Sequence, residues 1–255
     1  MSKFHLLNII SVLLLLAILT AGGQVVVSIL ILAVIYLVFL AIGSIFIQFN
    51  FYFKSLNSGQ TNQKQIAITF DDGPDSETTQ NILVILEKHK AVATFFCIGE
   101  KIEQQKELLK KIDSSGHGIG NHSFSHSNFF PLSSSKKIAE ELKSTNELIE
   151  KIICKKPKLF RPPFGVTNPT IAKALKSSGF IAVGWSLRSF DTIHDSKKVF
   201  KKLKRKLKAG DIVLFHDNRK NTPELLESFL HWLKENHFKV IGLDELLQIE
   251  TYEKI

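Results

Sequence analysis

The hydrophobic pattern divides the chain into two unlike parts. Residues 6–21 are apolar except for Asn8, Ser11 and Thr20, and residues 25–47 form a longer apolar run without a charge. The second run is long enough to cross a bilayer. Neither run leaves a polar face for water, so a soluble amphipathic helix does not fit. Gly22, Gly23 and Gln24 separate the runs, which predicts two membrane helices in a hairpin, or one span preceded by a re-entrant segment. Lys3 and the small residues Ala21 and Gly22 would suit a signal peptide, but the immediate start of a second span argues against one. Phe49, Phe51, Tyr52 and Phe53, followed by Lys54, read as an interfacial belt and anchor. Residues 55–64 are polar and read as a linker. The division expected is a membrane part at 1–48, an anchor and linker at 49–64, and a domain at 65–255.

From residue 65 the pattern alternates between two periods. Short apolar, strand-favouring stretches fall at 66–70, 92–97, 118–121, 158–161, 180–185, 212–216 and 238–241. Helical stretches lie between them, at 76–90, 101–114, 135–153, 167–177, 197–208 and 223–236. Asp75 or Ser76 and Asn168-Pro169 suit helix starts, and Gly116, Gly179 and Gly210 suit helix ends. Alternating βα units of this length imply a parallel sheet or barrel.

Charge narrows the partners. The net charge is +9, with basic residues gathered at 197–208. Val199, Leu203 and Leu207 recur there at helical spacing, so the lysines read as the solvated face of an amphipathic helix, with contact to anionic lipid as a secondary role. No nucleic-acid motif accompanies the charge. A membrane surface or an anionic substrate ranks above nucleic acid, and no protein partner is inferred. Cys97 and Cys154 form neither a disulfide framework nor a metal spacing and read as structural thiols. His89, His231 and His237 read as exposed, His117 as a packing residue, and His194 has no assignment.

The chemistry gathers at the C-terminal ends of the strands, where α/β folds carry their functional loops. The first strand runs into Asp71-Asp72-Gly73-Pro74. Adjacent strand residues point to opposite faces, so the two aspartates are expected to hold different jobs. Later strands deliver His122 and His126, then Arg161-Pro162-Pro163-Phe164-Gly165, then Trp185 with Arg188 and Asp191, then Leu214 and His216. If the loop after the third strand winds one helical turn, His122 and His126 share a face. That spacing suits two ligands of one zinc ion, with a carboxylate from Asp71 or Asp72 as the third. A site with open positions is catalytic, since the metal makes water acidic near neutral pH.

Thr69-Phe70-Asp71-Asp72-Gly73-Pro74, His122-Ser123-Phe124-Ser125-His126, Arg161-Pro162-Pro163-Phe164-Gly165 and Leu214-Phe215-His216, in this order, resemble the motifs of the polysaccharide deacetylase family, the NodB-homology or carbohydrate esterase family 4 domain. The resemblance runs from about Gln65 to the C-terminus and leaves the apolar N-terminus outside. It implies a distorted (β/α)7 barrel, here preceded by N-terminal transmembrane helices. It implies a hydrolase of non-peptide C–N bonds that removes N-acetyl groups from sugars, with zinc or another divalent metal. By position it makes Asp71 the general base, and Asp72, His122 and His126 the metal ligands. Arg161 would orient the base, and the Phe164 N–H would serve the oxyanion. His216 would be the general acid, Asp191 the carboxylate that tunes it, and Leu214 the wall beside the acetyl methyl. Trp185 lines either the sugar site or the core. Two positions depart from the family pattern. Thr192 stands where Trp often follows the aspartate, and Arg188 stands where an Asp is frequent.

The reading is a membrane-anchored, metal-dependent N-deacetylase acting on peptidoglycan, a chitin-like oligomer or an exopolysaccharide. The alternatives are a deformylase or deacetylase of a polyprenyl-phosphate-linked sugar, and an inactive sugar-binding membrane protein. Lys3, Lys54 and Lys64 favour a cytoplasmic domain by the positive-inside rule, whereas a wall substrate requires the outside.

Overall fold

The computed structural model describes residues 1–253. Two long helices open the chain, α1 (Lys3–Ala21) and α2 (Val25–Ile45). They pack side by side, and Tyr36 donates to Asn8 Oδ1 at 2.9 Å between them. Both are long and apolar enough to cross a membrane, and of their residues only Gly43 is buried.

The remainder is built as βα units: β1 (Ser55–Leu56), β2 (Gln65–Gly73), α3 (Thr78–His89), β3 (Ala93–Cys97), α4 (Gly99–Gln104), α5 (Lys106–Ser114), β4 (Gly118–Asn121) and α6 (Ser135–Ile153). Then come β5 (Leu159–Phe160), α7 (Pro169–Ser178), β6 (Ile181–Val183), β7 (Leu187–Arg188), α8 (Ser196–Lys206), β8 (Ile212–His216), α9 (Thr222–Glu235), β9 (Lys239–Val240) and α10 (Leu243–Leu247). Every ladder between them is parallel, in the order β1-β6-β5-β4-β3-β2-β8-β7, with β9 also on β2. The parallel sheet that the alternation predicts curls into the distorted (β/α)7 barrel that the family resemblance implies, with the helices outside it.

Strand period two sorts the core into layers. Ile66, Ile68 and Phe70 of β2, with Val213 and Phe215 of β8, pack outward against Leu86, Phe229 and other helix residues. Ala67 and the alternate residues Ile212 and Leu214 belong to the inner cluster with Phe96, Leu159, Val183 and Trp185. Thr69, Asp71 and His216 continue the inner rows, so the alternation that builds the core also aims the polar groups into the barrel.

Several expectations need correction. The segment expected as a linker supplies β1, which pairs Ser55 with Ala182 and Leu56 with Val183. Two residues are too short a run to carry a pattern. The expected helix at 101–114 is two helices that break at Gln105, whose φ/ψ of −129°/44° is not helical. The aromatic belt is largely inside: Phe51 and Tyr52 are buried, and only Phe49 is exposed. Phe51 and Tyr52 pack on Phe4, filling the joint between the helices and the barrel. His89 is not free on the surface but pairs with Glu227 of α9 at 3.0 Å. Cys97 is buried and Cys154 is exposed, and both are free thiols. His117 is buried, which depresses its pKa to about 4 and keeps it neutral.

Candidate active site

Asp71 ends the inward row of β2 and meets Arg161, the largest fully buried side chain. Arg161 Nη1 donates to Asp71 Oδ1 at 2.7 Å and to Thr69 Oγ1 at 2.9 Å. Its Nε and Nη2 donate to the carbonyls of Val183 and Gly184 at 3.2 and 2.7 Å, and its guanidinium lies 4.1 Å above the Phe96 ring. Burial lowers the Arg161 pKa, and the Asp71 charge opposes that shift. A buried charge with all three of its nitrogens hydrogen-bonded is fixed in place, so Asp71 is fixed with it.

Asp72 departs from strand alternation. Its φ is +74°, and the β2–β3 register shifts between Asp71 and Gly73. This bulge turns Asp72 toward the same cavity as Asp71 instead of the opposite face. Its Oδ1 lies 3.5 Å from His122 Nε2 and 3.3 Å from His126 Nε2. Burial works against its ionisation, but the hydrogen bond and charge of His122, with His126 and His216, outweigh burial and hold the carboxyl below its usual range. Lys101 Nζ donates to the Asp72 carbonyl at 2.6 Å, which holds the bulge from α4.

The two histidines converge without a helical turn. Residues 122–126 form a bend, with Ser123 at φ +65° and His126 at φ +49°. Glu141 of α6 secures it, accepting from the Phe124 and Ser125 N–H groups at 3.3 and 3.1 Å. The rings end 4.8 Å apart. His122 Nδ1 donates to the Arg161 carbonyl at 2.8 Å, which fixes the tautomer and leaves the Nε2 lone pair facing Asp72. Burial, then repulsion from His122, depresses the His126 pKa to about 4, so this ring is neutral and able to ligate. One donor atom each from Asp72, His122 and His126 lie within 4.8 Å of one another. Two imidazoles and one carboxylate fit a divalent metal of the zinc type, and they leave coordination positions open toward the cavity.

His216 ends the inward row of β8 across from Asp71, with which it is in register. Its Nδ1 donates to Asp191 Oδ1 and its backbone N–H to Asp191 Oδ2, both at 2.8 Å. Ser189 and Thr222 donate to the same carboxylate at 2.8 and 3.0 Å. Burial disfavours the imidazolium, but the hydrogen bond and charge of Asp191 outweigh it, and the His216 pKa is raised.

These groups enclose a cavity of about 180 Å³. Asp71, Asp72, His122, His126 and His216 line it, together with Phe164, Trp185 and Leu214, so eight of the ten expected site residues face one space. Arg161 and Asp191 stand behind it as supports. Phe164 is at φ +61°, and its ring packs edge-on to His126 at 4.6 Å. Trp185 and Leu214 are both buried, so each serves the core and the cavity wall at once. A larger groove of about 430 Å³ between α6 and α7 is lined by residues such as Lys143, Glu147 and Phe180 and gathers no catalytic set.

Sequence reasoning missed several supports. Asp217 is buried, accepts from Thr79 at 2.7 Å, and has no partner for Oδ1 among the described residues. Burial pushes its pKa up to about 7. Arg188 and Arg219 line the cavity, and neither has a carboxylate within 4.0 Å among the described residues. Glu141, Ser189 and Thr222 are polar residues of ordinary appearance, and nothing local marks them before the chain folds.

A parallel barrel with an aspartate–arginine pair, a histidine–aspartate pair and an Asp–His–His cluster at the C-terminal ends of its strands has groups suited to hydrolysis. The profile of the polysaccharide deacetylase family matches residues 58–183. A peptidoglycan-N-acetylglucosamine deacetylase of Bacillus cereus is 36% identical over 193 residues, covering 73% of this chain and 90% of that protein. The peptidoglycan-N-acetylmuramic acid deacetylase PdaA of Bacillus subtilis is 32% identical over 194 residues, covering 74% and 73%. A crystal structure of a peptidoglycan N-acetylglucosamine deacetylase in complex with 4-naphthalen-1-yl-N-oxidanyl-benzamide superposes with a TM-score of 0.74 at 28% identity, over 78% of this chain and 95% of that one. A carbohydrate esterase family 4 pseudoenzyme from Bacillus anthracis superposes with a TM-score of 0.70 at 29% identity, over 76% and 68%. The chain belongs to the polysaccharide deacetylase family, and it is a carbohydrate deacetylase, a hydrolase of C–N bonds.

Proposed function

We propose that this chain is a membrane-anchored, divalent-metal-dependent N-deacetylase whose substrate is an N-acetylated glycan, with peptidoglycan the first candidate. One observation carries this reading: Asp71 and His216 stand side by side at the ends of the neighbouring strands β2 and β8 and line the cavity, each held by its own buried partner, beside the Asp72–His122–His126 cluster. The domain division is proposed as expected, with residues 1–48 in the membrane, 49–64 as anchor and linker, and 65–255 catalytic, except that β1 belongs to the catalytic sheet.

Amide hydrolysis needs a base for water, a donor for the oxyanion and an acid for the amine. Asp71, held by Arg161, takes the proton of the attacking water. The Phe164 N–H donates to the carbonyl oxygen as negative charge develops there. His216 delivers its Nε2 proton to the nitrogen as the C–N bond breaks, so acetate and a free amine leave. Leu214 and Trp185 exclude water beside the acetyl methyl. A divalent metal bound by Asp72, His122 and His126, with zinc the best match to two imidazoles and a carboxylate, supplies Lewis acidity at the acyl carbonyl and acidifies water.

The sugar-binding pseudoenzyme reading is disfavoured because binding alone requires neither the acid nor the base. A second reading has one observation behind it. Arg188 and Arg219 are cations on the cavity wall without carboxylate partners among the described residues, which suits a substrate with an anion next to the acyl group, such as a polyprenyl-phosphate-linked sugar carrying a formyl or acetyl group.

The test measures acyl release from N-acetylglucosamine oligomers, peptidoglycan and a lipid-phosphate-linked sugar, with metal-stripped and zinc-loaded protein. Zinc-dependent acetate release that falls roughly 10²–10⁴-fold in Asp71→Asn is expected. Release that ignores both zinc and the substitution would overturn the assignment.

A further inference from the structure

The end of the barrel that carries the cavity is also the end to which the two long helices are fastened. Thr167 closes the loop that bears Phe164. Its N–H donates to the Ser44 carbonyl at 2.9 Å, and its hydroxyl donates to the Gly43 carbonyl at 2.9 Å, both in the last turn of α2. The start of α1 joins the same base, where the Phe4 N–H donates to the Phe51 carbonyl at 3.0 Å and Lys3 Nζ to the Phe49 carbonyl at 2.8 Å. Ile47, just beyond α2, is 1% exposed and packs in the cluster that contains Trp185 and Leu214. The joint is therefore packed and hydrogen-bonded, and it lies next to the catalytic loops.

A separate observation concerns where apolar surface remains. Outside residues 1–49, six large apolar side chains are exposed among the described residues. Val84 lies on α3, and Val92 stands just before β3, at the end of the strands away from the cavity. The other four, Phe129, Leu132, Phe164 and Ile193, stand on the loops after β4, β5 and β7, all at the catalytic end. Phe130 between the first two is fully buried, so it pins the loop while Phe129 and Leu132 project at 73% and 82% exposure. Asn168 Nδ2 donates to the Pro131 carbonyl at 2.5 Å, tying this loop to the segment that holds α2. Single exposed apolar residues are ordinary, but a collection on one end, continuous with two apolar helices, is not. Arg219 and Lys220, exposed on the loop after β8, add positive charge at the same end.

We propose that the catalytic face rests on the bilayer, with Phe129, Leu132 and Ile193 at the boundary of headgroups and acyl chains and the cavity mouth opening at the membrane surface. This rests on the reading that α1 and α2 span the membrane. Such a face takes glycan chains at the point where they are attached to, or lie against, the lipid, and it places Arg219 and Lys220 among anionic headgroups.

The test uses the full chain in vesicles of phosphatidylcholine and phosphatidylglycerol. Cys154→Ser removes the exposed thiol, and an environment-sensitive fluorophore is placed at Leu132→Cys, Ile193→Cys, Lys239→Cys or Leu13→Cys. Lys239 pairs with Gln65 at the opposite end of β2, so it reports the far face. Lipids spin-labelled near the headgroup should quench positions 132 and 193 several-fold more than position 239. Equal quenching at 132, 193 and 239, with lipid quenching retained at 13, overturns the proposal. Loss of quenching at 13 as well would sink the spanning reading and the proposal with it. Neither result bears on the deacetylase reading, which acetate release tests separately.

Discussion

His216 shows how one neighbour decides what a residue can do. Burial alone would strip its proton, and Asp191 reverses that by accepting from both its ring and its backbone. A histidine with a raised pKa stays protonated to higher pH and loses the proton only as pH passes that raised value. The alkaline limb of kcat therefore reports His216. Asp191→Asn removes the charge and leaves one acceptor oxygen, so only one of Ser189, which donates to Oδ1, and Thr222, which donates to Oδ2, keeps its bond. The limb should move to lower pH, and kcat at pH 8 should fall more than at pH 6. A limb that does not move would mean that another group is the acid. Asp71 and Asp72 make a similar point. They are adjacent, yet Arg161 holds one and the histidines approach the other, so neighbours in sequence acquire different jobs from partners remote in sequence.

Among the elements, the loop between β5 and α7 is constrained twice over, in backbone conformation and in space. Gly165 adopts φ +69°, and a Cβ there would run into the Trp185 ring. Gly179, at the end of α7, has a similar φ of +71° but open space around it. Gly165→Ala and Gly179→Ala thus share a backbone penalty of about 1–2 kcal/mol, visible in urea unfolding. Only Gly165→Ala should also reduce kcat, about tenfold or more, because Trp185 and the Phe164 N–H must shift. Equal activity in the two variants would remove this loop from the catalytic geometry.

For the whole molecule, the catalytic unit does not begin where its motifs begin. Ile47 fills the inner core and β1 covers the edge of β6. A soluble fragment from Phe46 should be more stable than one from Gln65. Burying one isoleucine is worth about 1.5–3 kcal/mol, so the shorter fragment should melt roughly 3–12 °C lower. Identical melting temperatures would show that the joint contributes nothing to the barrel.

The pattern along the chain determined much of this protein. Period two and period 3.6 alternate clearly enough to place seven of the strands and a parallel βα arrangement, since burial on one face demands that spacing, and the motifs' resemblance to a family supplied the barrel. Asp71, His122, Arg161 and His216 were legible because each stands at the end of a strand that the pattern locates, and His126 because it follows His122 at a spacing of four. Other features existed only once the chain had folded. The bulge that turns Asp72 inward depends on a register shift against β3, and Lys101 holds it from another element. The bend that joins His122 to His126 is held by Glu141, whose role no local spacing marks. The two-residue strands β1 and β7 are set by the edges they complete. The burial of Phe51 and Tyr52 follows from where the two long helices meet the barrel. Strand periodicity is a local consequence of the backbone, whereas pairing, register and docking are settled by contacts between segments far apart in sequence.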